Sequence, residues 1–317
     1  MLEADRSDGD RAAASRSLAA DIGNFEAAYE TLRNSTRLSD ELRVAEALAS
    51  ALDRVGRSRD ALGILEDALR EDNLATPQRE RVEAQAAWQA ADSGDFAKAR
   101  TLASIALDDA RGGGDSWSEV TALAAIWLCA CEDGDLTLAD DALAEAEAVT
   151  RARLPQRLAG VLNDRSVIAL ERGEYARARE LLFEALELAR GTPYGPWFNL
   201  ALSHLLESDF DAAAPWLRKT MTAAREAGDA KWLFYALHGF VVVHAQTDPE
   251  RAALLSGALE SLRRSLGIQL QRLELELATQ TRADLAGRLG GLFYELETTG
   301  AALELDDAIS LALGTES

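Results

Sequence analysis

The sequence predicts an all-α protein built as a right-handed α-α superhelix of about seven helix pairs, with further helices at its C-terminal end. Three observations lead there. The composition is dominated by good helix formers such as Ala, Leu, Glu and Arg, with only six prolines in 317 residues. Hydrophobic residues make up 48% of the chain, enough for a sizeable core. A short pattern recurs along the chain at intervals of 33 to 40 residues, the range of stacked helical repeats.

The pattern is a small residue, an aromatic or apolar residue two later, and alanine five later. In chain order it reads Gly23/Phe25/Ala28, Gly56/Ser58/Ala61, Gly94/Phe96/Ala99, Gly134/Leu136/Ala139, Gly173/Tyr175/Ala178, Ser208/Phe210/Ala213 and Thr247/Pro249/Ala252. Each position has a physical task. The junction residue ends one helix where a tight or left-handed conformation is needed, and the next helix begins almost at once. The ring fills the crevice between the paired helices. The alanine sits at the closest crossing, where a larger side chain would force the helices apart. Apolar pairs such as Ile64/Leu65, Leu181/Leu182 and Trp216/Leu217 follow in helical phase with it. A segment such as LNDRSVIALERGEYARARELLFEALELARG (162–191) is therefore one copy of a structural unit, and Gly173 a hinge between packed helices.

This spacing resembles the tetratricopeptide repeat, whose second helix opens with the same glycine, aromatic and alanine. The resemblance implies a tetratricopeptide-like solenoid over residues 1–266, followed by a helical extension, 267–317, that packs on it. Most intervals exceed the ~34 residues of the ideal repeat, which implies longer loops or an extra helical turn. Two later segments narrow the likeness. PERAALLSGALESLRRSLG (249–267) and the distal FYELETTGAALELDDAISLALG (293–314) are similar, in that order, to the C-terminal helical region of large bacterial ATP-binding transcriptional regulators, of the LuxR type and the antibiotic-regulatory type. In those families the array is a sensing or protein-interaction arm, and nucleotide and DNA binding belong to other domains. The expectation is a fragment of such a regulator or a stand-alone relative.

The residues themselves argue against several chemistries. Against 33 basic residues stand 54 acidic ones, a formal charge of −21, so the averaged field repels nucleic acid and anionic lipid. Neither glycine cluster, RGGGD (111–115) or GRLGG (287–291), carries the Lys and Ser/Thr of a phosphate loop. EDGD (132–135) lacks the alternating oxygens and closing glutamate of a calcium loop. Cys129 and Cys131 point about 200° apart on a helix and do not pair. His204, His238 and His244 lack metal-site spacing. No catalytic, cofactor-binding or metal-binding residues are expected. The N-terminal MLEADRSDGD is no secretory signal, and the longest apolar run, ALAAIWLCAC (122–131), is about half a membrane span. A cytoplasmic protein is expected.

The function expected is non-catalytic: a scaffold acting as sensor or interaction arm of a bacterial transcriptional regulatory system. Its partner would be a peptide, a protein, a small effector or a second copy of the chain. A general assembly scaffold, or a helical enzyme with its site in the C-terminal groove, are the other readings. The repeat resemblance places the concave face at positions 13, 10, 9, 6 and 3 before each junction. The tenth and sixth positions lack the Lys and Asn of the carboxylate clamp used by co-chaperones. Candidate contacts on this face are Arg43, Glu46, Arg81, Trp88, Asn163, Phe198, Asn199, Leu202 and His238. Toward the C-terminal half the positions turn apolar: Val167, Leu170, Phe198, Leu202, Leu205, Leu237 and Val241 form a strip too large to leave in water. Packing within and between repeats, the chain's own tail, an apolar effector, a partner helix or a second copy of the chain are the candidate covers.

Overall fold

The computed structural model describes residues 21–33, 38–69 and 76–314, and they form two compact units of packed helices with no strand among them. Residues 1–20 of the anticipated array lie outside the described residues. The first unit takes the described part of Met1–Ile168 together with Leu188–Gly191. It holds α1 (Ile22–Arg33), α2 (Leu38–Arg54), α3 (Ser58–Leu69), α4 (Thr76–Asp92) and α5 (Phe96–Gly113). It continues through α6 (Ser116–Glu132), α7 (Leu136–Arg153), a single 3-10 turn (Pro155–Arg157) and α8 (Leu158–Glu171) as far as Ile168. The second unit takes Ala169–Glu187 and Thr192–Ser317. Its helices are α9 (Tyr175–Leu188), α10 (Tyr194–Leu206), α11 (Phe210–Ala227), α12 (Ala230–Thr247), α13 (Pro249–Leu266), α14 (Arg272–Leu289), α15 (Gly291–Gly300) and α16 (Leu305–Leu313).

The junctions work as their residues dictate. At Gly94 the backbone turns to φ +85°, the left-handed region that a side chain disfavours. Asp95 then caps α5 by accepting the Lys98 N–H at 3.3 Å. Asp135, Asp209 and Asp248 cap α7, α11 and α13 in the same way. Ser208 adopts φ +60° despite its side chain, as the serine variant of the motif requires. Two junctions differ. Gly23 falls inside α1 rather than between helices, and Thr247 ends α12 with no left-handed residue, Asp248 serving both as end and as cap.

The crossing alanines Ala61, Ala99, Ala139, Ala178, Ala213 and Ala252 are all fully buried. Phe25, Phe96 and Leu136 pack on the core of the first unit, and Tyr175 and Phe210 on that of the second. Within the first unit, alternate helices share a face: α2 packs on α4, and α4 on α6. Within the second, α10 packs on α12.

Of the tail, residues 267–314 are described and lie against α12 and α13. The two segments that carry the family resemblance meet here: a Cβ at Gly257 of α13 would fall 2.0 Å from the Glu297 carbonyl oxygen, and one at Gly300 of α15 would fall 1.8 Å from that of Leu254. Two glycines thus let α13 and α15 cross backbone on backbone. His244 Nε2 pairs with the Ala312 carbonyl at 2.9 Å, and Arg225 with Asp306 at 2.9 Å. From Leu170 onward the apolar strip is enclosed in this unit: Phe198, Leu202 and Leu237 share a cluster with Ile268, Leu273 and Ile309, whereas Val167 is half-buried against the core of the first unit. Packing between pairs and packing by the tail both contribute.

Candidate functional site

In the first unit, the face shared by α2, α4, α6 and the start of α8 collects polar residues around one indole. Asp115 organises it. Its Oδ1 accepts the Trp117 N–H at 3.1 Å and its Oδ2 the Ser118 hydroxyl at 2.7 Å, which caps α6 and sets Trp117 in the first turn. Arg81 of α4 pairs with Asp115 at 3.4 Å and lies 5.1 Å from the centre of the Trp117 ring. Arg157, from the 3-10 turn, lies 5.2 Å from the same ring. Its Nη1 donates to the Thr121 hydroxyl at 2.7 Å and to the Trp117 carbonyl at 3.2 Å. Two guanidiniums on one ring gain cation–π attraction but repel each other. Burial first, then the nearby Arg81, lowers the Arg157 pKa.

Two carboxylates complete the face. Asp164 of α8 accepts from the Asn163 amide at 3.3 Å, and its desolvation raises its pKa to about 7, against the smaller pull of Asn163 and Arg157. Glu46 of α2 is also held above the usual carboxylate range, by desolvation more than by anything else. Gln85 of α4 bridges the helices, its Nε2 donating to Ser50 Oγ at 3.1 Å and to the Glu46 carbonyl at 3.4 Å. Among the described residues, neither Arg157 nor Asp164 forms an ion pair. Each is charged in its ordinary form and half-buried.

The structure brings Glu46, Arg81 and Asn163 of the anticipated contacts into this group. Arg43 stands exposed beside Glu46, close enough to pull on its titration. Trp88 is half-buried against the core of the unit. The other four belong to the second unit and face inward: Phe198 is 2% exposed, Asn199 7%, Leu202 1% and His238 1%. Phe198 sits among Trp232 and Tyr235, its ring 5.2 Å from the latter. Burial pushes the His238 pKa down to about 4, against a smaller upward pull from the Glu274 backbone. Over it lies the first turn of α14, where Glu274 is buried and raised to about 7 by desolvation, and Arg272 pairs with Glu171.

Asp115, Trp117, Arg157 and Asp164 were not among the anticipated contacts. Asp164 is ninth before the Gly173 junction, on the same row as Gln85, Asn199 and His238, so this buried polar row was there to be read. Trp117 and Arg157 stand a turn ahead of the repeat's groove positions, and nothing in the local sequence marks them. Chemistry elsewhere is quiet. Cys129 is buried, with its thiol pushed up to about 11, which suppresses the reactive thiolate. Among the described residues, no group of His, Cys, Asp or Glu could hold a metal ion, and no helix is long and apolar enough to cross a membrane.

The fold therefore defines an all-α protein of consecutive helix pairs that carries a polar face in its first unit. No family model matches the sequence, and no curated protein matches it. Among solved structures, the chain is similar to the crystal structure of BtubC (BKLC) from P. vanneervenii, at 17% identity, covering 71% of this chain and 92% of that one with a TM-score of 0.45. A likeness so distant carries no argument about what this chain binds.

Proposed function

We propose that this chain is a non-catalytic scaffold of the tetratricopeptide kind, serving in the bacterial cytoplasm as the sensor or protein-interaction arm of a transcriptional regulatory system. Its peptide, protein or small-effector partner binds the polar face of the first unit. The observation that carries this reading is Arg157 on the Trp117 ring, which the exposed Arg81 shares, with Asp164 within electrostatic reach: Arg157 and Asp164 are charges of opposite sign, half-buried and without an ion-pair partner, and are costly to keep unless a partner completes them. The regulatory assignment rests on the paired segments 249–267 and 293–314. An enclosed His238 and a suppressed Cys129 thiol favour binding over catalysis. A charge of −21 favours protein or small-molecule partners over nucleic acid.

The test uses the full chain as bait in bacterial extracts, with an Arg157→Glu chain of matched thermal stability as control. Retained proteins and small molecules are identified by mass spectrometry. The reading expects a regulatory ATPase, a DNA-binding protein or a defined small molecule that is retained by the native chain and lost from the variant. Equal recovery by both chains, or nothing specific from several extracts, overturns it.

A further inference from the structure

Arg157 and Asp164 present opposite charges on one face, within electrostatic reach of each other, yet do not pair. The Arg157 Nη1 is committed to Trp117 and Thr121. Its Nε and Nη2 have no protein partner among the described residues, and that edge of the guanidinium is not sealed from solvent. It is the edge that grips a carboxylate through two parallel hydrogen bonds. Asp164 complements it: Oδ1 takes the Asn163 amide at 3.3 Å, and Oδ2, largely desolvated but not sealed, has no donor among the described residues. Trp117 lies against the Arg157 guanidinium, with Arg81 on the same ring.

A simple ligand class follows from the signs. An inorganic or organic anion would satisfy Arg157 and Arg81 but meet repulsion from Asp164, Glu46 and Asp115. An amine would satisfy Asp164 and meet repulsion from the two arginines. A molecule bearing both charges satisfies both and brings no net charge to a chain already at −21. We propose that this face is a binding site for a compact zwitterion of the amino-acid class, its carboxylate held by Arg157 with Arg81, its ammonium by Asp164, and its carbon skeleton against Trp117. This deepens the reading of the polar face as the ligand face and rests on it.

Isothermal titration calorimetry of the full chain tests it with the standard L-amino acids and a spacing series of glycine, 4-aminobutanoate and 6-aminohexanoate. Acetate and methylamine serve as single-charge controls. At least one zwitterion should bind about tenfold or more tightly than either control, since each lost charge-assisted contact is worth about 1.5 kcal/mol or more. Arg157→Gln and Asp164→Asn should each weaken that ligand about tenfold, while Arg177→Gln, an exposed position outside the face, should not. Carbon-detected NMR supplies a readout that survives a poorly folding variant: the ligand's ammonium should lower the Asp164 pKa from its raised value. Acetate binding as well as every zwitterion, or affinity unchanged by both variants, sinks the proposal. So does an Asp164 that titrates in the ordinary carboxylate range without ligand and does not respond to it, the sign of a direct Arg157–Asp164 pair. If extracts yield a partner at this face but no zwitterion binds, the broader reading stands and this one falls. If a zwitterion binds but no regulatory component is retained, the site stands and the regulatory role falls.

Discussion

Asp164 shows what a single residue can contribute in the wrong direction for stability. Its folded pKa is raised to about 7, whereas an unfolded chain holds it near the ordinary value of 3.8. Between those values the folded state binds more protons than the unfolded state, so the group's contribution to stability is lost as pH rises from about 4 to 7. Asp164→Asn removes the titration while keeping an amide of the same shape. It should raise stability at pH 8 by about 1 kcal/mol, the scale of an unpaired polar group partly withdrawn from water, and leave stability near pH 4 unchanged. Denaturant melts at the two pH values check this. A native chain that is more stable than the variant at pH 8 would mean that Asp164 is paired. His238 works with the opposite sign. Its folded pKa lies near 4 against 6.5 when unfolded, so its contribution is complete above 6.5 and is lost as pH falls toward 4.

At the scale of elements, the junction motif decides how closely two helices approach. Ala178 is fully enclosed in the core of the second unit, while Ala176, two residues earlier, is exposed. Ala178→Leu should cost about 1 to 3 kcal/mol by overpacking, and Ala176→Leu should be nearly neutral. Similar losses from both changes would show that the crossing point lies elsewhere. The alanine row was legible because the same constraint recurs at every pair and leaves the same small residue each time. The α13–α15 crossing was not legible in this way. Gly257 and Gly300 stand 43 positions apart with no repeat to align them, and only their packing gives them one shared cause, a backbone contact that admits no Cβ.

For the whole molecule, the tail is part of the second unit's core. Ile268, Leu273, Ala308 and Ile309 are buried in the cluster that holds Phe198, Leu237 and Leu255. Removing residues 268–317 strips these contacts and bares an aromatic and aliphatic surface. The truncated chain should bind a hydrophobic dye, self-associate, and melt at a lower temperature than the full chain. A truncated chain that stays monomeric and dye-silent with an unchanged melt would show that the tail shields nothing.

By itself the sequence determined the helical class, the junctions from Gly56 to Ser208 and the buried alanines from Ala61 to Ala252, though not the half-buried Ala28, because these answer to local rules: helix propensity, caps and a periodicity that repeats within 40 residues. It also pointed to Glu46, Arg81 and Asn163, which sit at regular places in that period. Tertiary structure alone decided that Trp117 and Arg157 join them, and that Phe198, Leu202 and His238 are enclosed. Arg157 is 40 residues from Trp117 and reaches it through a 3-10 turn that no repeat position describes. His238 is enclosed by a tail that follows the last repeat. Periodicity carries information only between residues that obey it, and the charges of the polar face and the cover over His238 are set by contacts between elements that do not.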